Sequence, residues 1–209
     1  MNLPTLQHEQ RLWRSGYSQV AGIDEAGRGA LAGPVVAATA VFSQEGAKKL
    51  LKKVRDSKQL TELARERLYD TLTTTALAWE VGIISHRVID RINIANASLH
   101  AMRGAVWKLA VPPAYLLLDG YFPSDALRKK FKGIAAPRNC IVGGDASVFS
   151  IAAASVIAKV TRDRIMRAMH DKYPLYGFSE HKGYGTAYHY KMLREHGPCT
   201  IHRKSFFLG

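Results

Sequence analysis

Two acidic residues stand side by side at the end of a predicted strand. Asp24 and Glu25 follow the apolar stretch 20–23 and precede the glycine-rich turn 26–29. Because successive side chains of a strand point to opposite faces, both carboxylates can reach one site only if the chain leaves strand geometry, and the glycines allow such a bend. A polar turn with two solvated acids is the alternative interpretation.

Two further aspartates occupy positions where strands end. Asp119 closes the apolar run 114–118, and the carboxyl end of a buried strand is where α/β sheets place their site residues. Its alternative is a turn aspartate that accepts bonds from nearby backbone amides. Asp145 follows two glycines and precedes a predicted long helix, so it could equally serve as the N-cap of that helix.

A fifth acid, Asp163, lies within the same predicted helix, four residues before Arg167. That spacing favours an ion pair on the helix surface. Asp163 is therefore the reserve candidate for a fourth site carboxylate, behind Asp145.

Taken together, the acids indicate metal chemistry. Hard divalent cations such as Mg²⁺ take oxygen ligands, and a pair of such ions needs several carboxylates to balance its charge. Ions held in this way activate water on one side of a phosphate and stabilise the leaving oxygen on the other. An acidic pocket on a basic protein suits hydrolysis of a phosphodiester.

Charge supports a polyanionic partner. The 209-residue chain has a net charge of +13, and residues 105–209 hold 16 Lys and Arg against 7 Asp and Glu. No stretch approaches the roughly 18 apolar residues of a membrane span. The polar start of the chain does not resemble a secretory signal, and two cysteines without paired spacing predict neither a zinc site nor a disulfide framework. We expect a cytoplasmic protein that does not associate with membranes.

The apolar patterns predict one three-layer α/β domain with a mixed sheet, in which a glycine turn joins the first two strands as an antiparallel pair. The segment from about residue 174 is expected as loop and short helices packed on that domain. The predicted strands are 18–24, 33–42, 76–86, 114–120 and a short one near 139–142, and the predicted helices are 45–56, 61–76 with Thr61 as N-cap, 92–110 and 146–173.

The turn Gly27-Arg28-Gly29 matches neither standard phosphate-loop pattern. It could still bring exposed amides close to a sugar or phosphate, or it could be an ordinary tight turn. Lys58, between two predicted helices, could contact a phosphate or belong to a capping turn.

Two further stretches are typical of nucleic-acid contacts. The basic segment 127–133 could follow a phosphate backbone or form a solvated surface. Tyr184 stands between two glycines near Lys182, which suits stacking on a sugar or base. A tyrosine packed at the edge of the core is the alternative.

Several segments, taken in order, resemble bacterial ribonuclease HII from about Tyr17 to Phe206. They are GIDEAGRGALAGPVVAAT, DSKQL, LLLDG, SIAAASVIAKVTRD, YGFSEHKGYGT and HGPCTIHRKSF. The resemblance implies a ribonuclease H-like fold with a mixed five-stranded sheet flanked by helices. It also implies endonucleolytic cutting of the RNA strand of RNA–DNA hybrids, and cutting 5′ of single ribonucleotides embedded in duplex DNA.

The resemblance also implies roles for single residues. It places the Mg²⁺- or Mn²⁺-binding carboxylates at Asp24, Glu25, Asp119 and Asp145, which raises Asp145 above Asp163. Contacts to the 2′-hydroxyl fall on Gly27, Arg28 and Gly29, a stacking contact to the neighbouring deoxyribose falls on Tyr184, and Lys58 matches the family's Asp-Ser-Lys. The family pattern has Lys where this chain has Gly143.

The sequence thus predicts a monomeric, metal-dependent endoribonuclease whose substrates are RNA–DNA hybrid and ribonucleotide-containing duplex DNA. One rival is a non-catalytic nucleic-acid binder whose acids only cap helices. The other is a nonspecific metal nuclease, which would cut DNA-only duplexes equally well.

Overall fold

A mixed five-stranded sheet forms the centre of the molecule. The computed structural model describes residues 3–54 and 60–209, so the prediction for Lys58 lies outside the described residues. The strand order is β3-β2-β1-β4-β5, with β1–β2–β3 antiparallel and β1–β4–β5 parallel. The predicted mixed sheet is confirmed. The strands are β1 (Val20–Ala26), β2 (Val35–Val41), β3 (Ala78–Ile84), β4 (Tyr115–Asp119) and β5 (Arg138–Ile141).

Helices cover both faces of this sheet. They are α1 (Gln7–Arg14), α2 (Gln44–Leu50), α3 (Glu62–Thr75), α4 (His86–Ile92), α5 (Ile94–Lys108), α6 (Ser124–Lys130), α7 (Gly144–Ser147), α8 (Phe149–Lys172), α9 (Phe178–His181) and α10 (Ala187–His196), with a 3₁₀ turn at Pro174–Tyr176. Thr61 caps α3 as predicted, because its hydroxyl accepts the Ala64 N–H. None of the described helices is long and apolar enough to cross a bilayer.

Two glycines let the main helices touch the sheet. Helix α8 packs on β1 and β2, and a Cβ at Gly22 of β1 would lie 2.1 Å from the carbonyl carbon of Ser150. On the opposite face α5 packs on β3, where a Cβ at Gly82 would lie 1.9 Å from the Ala101 carbonyl oxygen. Since any side chain at Gly22 would push α8 away, this glycine sets the distance between α8 and the strand that carries the first acids.

The predicted helix 146–173 is interrupted at its start. Val148 is extended, with φ −117° and ψ 122°, and it bridges to Thr5 near the N-terminus. Thr5 accepts the Phe149 N–H at 3.0 Å and donates its own N–H to Ser147 at 2.9 Å. The prediction of one continuous helix is therefore wrong here, because the competing hydrogen bonds come from a distant segment. Asp145 consequently sits in the separate helix α7 and does not cap α8.

Helix α1, which the pattern did not predict, supports the same region. Its Glu9 is buried, and one carboxylate oxygen accepts the Ser150 N–H at 2.8 Å. This amide belongs to the first turn of α8, where backbone donors need outside acceptors. Burial raises the pKa of Glu9, and the bond from Ser150 opposes that shift. Helices α4 and α6 were also not predicted, and α2 ends at Leu50, short of the predicted 56.

Candidate active site

Three carboxylates meet at one end of the sheet. Each of Asp24, Asp119 and Asp145 offers a carboxylate oxygen, and these oxygens all lie within 4.8 Å of one another. Ile23 of β1 pairs with Leu118 of β4 in parallel register, so Asp24 and Asp119 are the next residues at the same level. Because adjacent parallel strands end together, the sheet itself brings these two acids side by side.

Asp145 reaches the other two acids through α7. Oδ1 of Asp119 accepts the Gly144 N–H at 2.7 Å, and the Asp145 N–H lies 3.4 Å from the same oxygen. Gly143 has a left-handed backbone with φ 68°, and a Cβ there would meet no described atom within 4 Å. A glycine adopts this conformation without strain, which is a physical reason for Gly143 where the family pattern has Lys.

Glu25 enters the same pocket from the next position of β1. The strand continues to Ala26, so both acids lie within it and the bend expected at residues 26–29 begins only after them. Glu25 donates its N–H to Oδ1 of Asp24 at 2.7 Å, and its carboxylate pairs with Arg28 at 3.2 Å. Glu25 therefore lies at the edge of the group formed by the three aspartates.

The acids are held in an environment that disfavours their charge. Burial raises the pKa of Asp24 well above its usual value, with further contributions from Glu25 and Asp119, while a Ser155 hydrogen bond opposes the shift. Burial also raises the pKa of Asp119, together with the charge of Asp145. Burial likewise raises the pKa of Glu25, against the opposing effect of Arg28. The charged form of such clustered, buried carboxylates is stabilised by a cation that takes their oxygens as ligands.

The pocket around these acids has a volume of about 280 Å³. It brings together the predicted site residues that the structure describes, and adds Ser155 and Lys159 of α8, which were missed. Ser155, Lys159 and Asp163 are spaced four residues apart, which places three polar side chains on one face of an otherwise apolar helix. This pattern could have indicated that the helix lines a site. The lining residues are Asp24, Glu25, Ala26, Gly27, Arg28, Gly29, Asp119, Asp145, Ser155, Lys159 and Tyr184.

Asp163 plays a different part from the one expected. It is buried, with Oδ1 2.6 Å from the Lys159 ammonium and Oδ2 4.0 Å from the Arg65 guanidinium. Arg167 instead pairs with Glu62 and Glu66 of α3. The predicted surface pair with Arg167 is therefore wrong. Among the described residues, the group able to hold a metal contains Asp145 and not Asp163.

Two buried arginines shape the Gly27-Arg28-Gly29 turn. Arg203, from the C-terminal segment, donates to the carbonyls of Gly27 at 2.7 Å and Arg28 at 2.9 Å. Arg162 of α8 donates to the Pro34 carbonyl at 3.0 Å, and a Cβ at Gly27 would lie 1.9 Å from its Nε. Gly27 also has φ 92°, so both space and backbone require glycine there.

Both guanidiniums lie beneath the turn, and among the described residues they donate to backbone carbonyls and form no ion pair with a carboxylate. Burial and the neighbouring Arg162 lower the pKa of Arg203 to about 9, so Arg203 remains charged at neutral pH. Backbone carbonyls take the place of counter-ions for this cation, which fixes the path of the turn.

Tyr184 faces the pocket from the loop after α9. Its ring centroid lies 5.2 Å from the Arg162 guanidinium carbon and 5.8 Å from the Lys159 ammonium nitrogen. Cations at this range are attracted to an aromatic face. The ring is thus held at the pocket wall by α8.

The basic segment 127–133 is amphipathic. Leu127 and Phe131 are buried in the core, while Lys129 and Lys132 are exposed. Because these lysines are exposed, the segment is still a candidate surface for contacts to the phosphate backbone of a nucleic acid.

The comparison with protein families decides the family. Residues 21–208 match the family model described as ribonuclease HII. The chain belongs to the ribonuclease HII family. It is 48% identical to ribonuclease HII of Geobacter metallireducens, covering 99% of this chain and 96% of that one. The family resemblance drawn from the motifs is confirmed.

Solved structures agree with the fold. Ribonuclease H2 from Pyrococcus horikoshii OT3 aligns with a TM-score of 0.76 and 28% identity, covering 91% of this chain and 94% of that one. Bst-RNase HIII, whose structure is in complex with Mn²⁺, aligns with a TM-score of 0.76 and 20% identity, over 91% of this chain and 67% of that one. Members of the ribonuclease HII family are ribonuclease H hydrolases that need divalent metal ions, and the three-aspartate group of this chain suits that requirement.

Proposed function

We propose that this member of the family cuts the RNA strand of RNA–DNA hybrids and cuts 5′ of single ribonucleotides in duplex DNA. The products would be a 3′-hydroxyl and a 5′-phosphate. One observation carries the proposal: a single pocket combines the group of Asp24, Asp119 and Asp145 with the Gly27–Gly29 turn and Tyr184. The first part suits hydrolysis of a phosphodiester, and the second suits recognition of a sugar.

The carboxylates would hold Mg²⁺ or Mn²⁺. Asp24, Asp119 and Asp145 supply the central oxygen ligands, and Glu25 supplies one from the edge of the group. Their chemistry fits, because hard cations prefer oxygen and because burial has raised the pKa of Asp24 and Asp119. When bound, the ions supply activation of water and neutralisation of phosphate charge.

The Gly27–Gly29 turn would read the 2′-hydroxyl, which distinguishes RNA from DNA. A Cβ at Gly29 would meet no described atom within 4 Å, so the backbone there is open to a sugar. The carbonyls of Gly27 and Arg28 are already held by Arg203, which leaves the amide side of the turn for substrate. Tyr184 would stack on the neighbouring deoxyribose, and Lys58 would contact a phosphate.

The reaction is an in-line displacement at phosphorus. A water oxygen forms the new bond to phosphorus on the 5′ side of the ribonucleotide, and the bond to the 3′-oxygen of the preceding nucleotide breaks. The departing oxygen takes up a proton and becomes the 3′-hydroxyl. We place this activity in a cytoplasmic monomer that acts in ribonucleotide removal.

The test is cleavage of a labelled DNA duplex carrying one ribonucleotide, in Mg²⁺, in Mn²⁺ and in EDTA. Asp145→Asn should lower the rate by at least about 100-fold, since it removes a charge that the metal ions need. Asp125→Asn, an exposed acid paired with Arg128, is the matched control and should cut normally.

Each rival predicts a different result. A nonspecific nuclease would also cut an all-DNA duplex of the same sequence. A non-catalytic binder would retain the duplex and cut neither it nor a long RNA–DNA hybrid with any metal. Full activity of Asp145→Asn would remove Asp145 from the site.

A further inference from the structure

Three histidines cluster behind the loop that carries Tyr184. His189 and His202 are buried, and their Nε2 atoms lie 2.9 Å apart. The ring of His181 stacks on His189, with centroids 4.4 Å apart and an angle of 16° between planes. Phe178 packs edge-on against His189 and closes the cluster. None of these histidines lines the acidic pocket, so the proposed chemistry does not use them directly.

The hydrogen bonds fix where each proton lies. The Cys199 backbone N–H points to Nδ1 of His202 at 2.9 Å, and the Cys199 carbonyl oxygen lies farther from the same nitrogen, at 3.3 Å. Because the shorter contact needs an acceptor, we assign Nδ1 as the acceptor and place the ring proton of neutral His202 on Nε2. At the other end, the Tyr184 carbonyl lies 2.9 Å from Nδ1 of His189 and can only accept, so His189 carries its proton on Nδ1. Nε2 of His189 is therefore free to accept from Nε2–H of His202.

The hydrogen bonds at both ends of this series require the same direction of donation. One continuous path runs from the Cys199 amide through His202 and His189 to the Tyr184 carbonyl. That carbonyl also accepts the Thr186 N–H at 2.9 Å, which uses its second lone pair. His181 holds Gly183, the residue before Tyr184, because Nδ1 of His181 accepts the Gly183 N–H at 3.1 Å.

We propose that His202 and His189 form a neutral imidazole relay that fixes the backbone of Tyr184 and thereby sets how its ring meets the substrate sugar. Both are positioning residues, because they act through Tyr184. The assignment rests on the proposed role of Tyr184 as a substrate contact.

The surroundings keep the relay neutral. Burial lowers the pKa of His202 to about 4, helped by His189, His181 and His86, while the Cys199 carbonyl oxygen opposes the shift. Burial also lowers the pKa of His189, with His181 adding to the effect and the bond to the Tyr184 carbonyl opposing it.

Burial lowers the pKa of His181, the outer histidine, while its bond with the Tyr176 carbonyl opposes the shift. The charge of Lys182 adds to the lowering, and that of Glu180 opposes it. A second proton on His189 would place two N–H groups against each other across the 2.9 Å contact with His202.

The first experiment reads the protons directly and needs no substrate. An imidazole nitrogen–proton correlation spectrum at pH 7.5 should show His202 with its proton on Nε2 and His189 with its proton on Nδ1. Finding His189 protonated on Nε2, or either ring doubly protonated at this pH, would overturn the relay even if the enzyme cuts as proposed.

The second experiment compares two variants of nearly equal size. His189→Asn keeps an N–H that can reach the Tyr184 carbonyl, whereas His189→Leu removes it. We expect His189→Leu to lower kcat/KM on the single-ribonucleotide duplex by about tenfold, the worth of one buried hydrogen bond, and His189→Asn to recover most of the loss. His196→Leu, at an exposed position of α10, is the matched control.

Tyr184→Ala tells positioning from a general effect on the fold. In that background His189→Leu should cost nothing further, because there is no ring left to position. An equal loss in both backgrounds, or no loss with Tyr184 present, contradicts the relay. If His189→Leu does not fold, His202→Asn takes its place, since it keeps an acceptor for the Cys199 N–H and loses the donor to His189.

A failure of the proposed function looks different. Wild-type protein would then leave the ribonucleotide duplex uncut, or Tyr184→Ala would cut it at the wild-type rate. Either result removes the substrate contact on which the positioning role depends, and so overturns that role whatever the proton positions.

Discussion

Oδ1 of Asp119 accepts the backbone N–H of Gly144 at 2.7 Å, so the Asp119 carboxylate on β4 also fixes the start of α7. The same helix presents Asp145. The positions of these two carboxylates are therefore coupled through one short hydrogen bond, and a displacement of α7 moves both.

Gly144→Ala should separate these acids. The added Cβ would lie 2.5 Å from Cδ1 of Ile151 and 3.3 Å from Oδ1 of Asp119, so the Ile151 side chain must turn away and Asp119 and α7 must move slightly apart. Since a misplacement of about 1 Å can cost about 100-fold in rate, we expect this smaller displacement to cost about tenfold, together with a higher Mg²⁺ requirement. Metal titrations of the cleavage rate measure both effects.

Gly143→Asn is the control for that change. Asparagine tolerates left-handed backbone, and the described surroundings of Gly143 leave room for a side chain. It should retain activity within about threefold, since a surface change here disturbs little. Equal losses of activity in both variants would show that the coupling of Asp119 and Asp145 through Gly144 does not cause the loss.

Asp24→Asn should make the cation-free protein more stable. The folded-state pKa of Asp24 is raised, so the stability it contributes is present below the unfolded pKa and is lost as pH rises through the folded pKa. At pH 7.5 the neutral amide avoids this cost, and Tm in EDTA should rise by about 2–4 °C for each kcal/mol recovered.

The same substitution should abolish cleavage and weaken the stabilisation that Mg²⁺ gives the wild type. Thermal scans with EDTA and with Mg²⁺ measure both. An unchanged or lower Tm in EDTA would contradict the electrostatic account.

Arg203→Met should destabilise the fold as well as the Gly27–Gly29 turn. It removes the guanidinium donor from the carbonyls of Gly27, Arg28 and Gly33, at a cost of about 2–4 kcal/mol in the free energy of unfolding. Urea denaturation measures this, and Arg194→Met on the exposed side of α10 is the control. A loss below about 0.5 kcal/mol, the range of ordinary surface changes, would contradict the role of Arg203.

Acid should destabilise the protein through His202. Its folded pKa of about 4 lies below the ordinary value of 6.5, so its contribution is present above 6.5 and is lost as pH falls toward 4. Urea titrations between pH 7 and pH 4.5 should show the free energy of unfolding falling, with a smaller slope in His202→Asn. An identical slope in both proteins would assign the effect to other groups.

Local patterns and family motifs in the sequence predicted many residues of this candidate site. The features that were missed depend on contacts between segments far apart in the sequence. Asp24 and Asp119 could be placed because strand ends position acids by local geometry. Asp145 was found by its motif, yet the break at Val148 depends on Thr5, which no pattern around residue 148 reveals.

The partners of buried charged side chains were harder still to predict from the sequence. Asp163 has cations on both sides in sequence, and only the packing of α3 against α8 decides that Arg167 turns to Glu62 and Glu66. Arg203 and Gly27 are separated by 176 residues, so their contact is a property of the fold and not of spacing.

That contact has a consequence for how the enzyme is made. Arg203 follows all the lining residues of the pocket in the chain, and its guanidinium holds the turn at Gly27 and Arg28 from outside the pocket. The sheet and its acids are synthesised before Arg203. A growing chain can therefore bring Asp24 and Asp119 together before Arg203 is present to hold the Gly27–Gly29 turn.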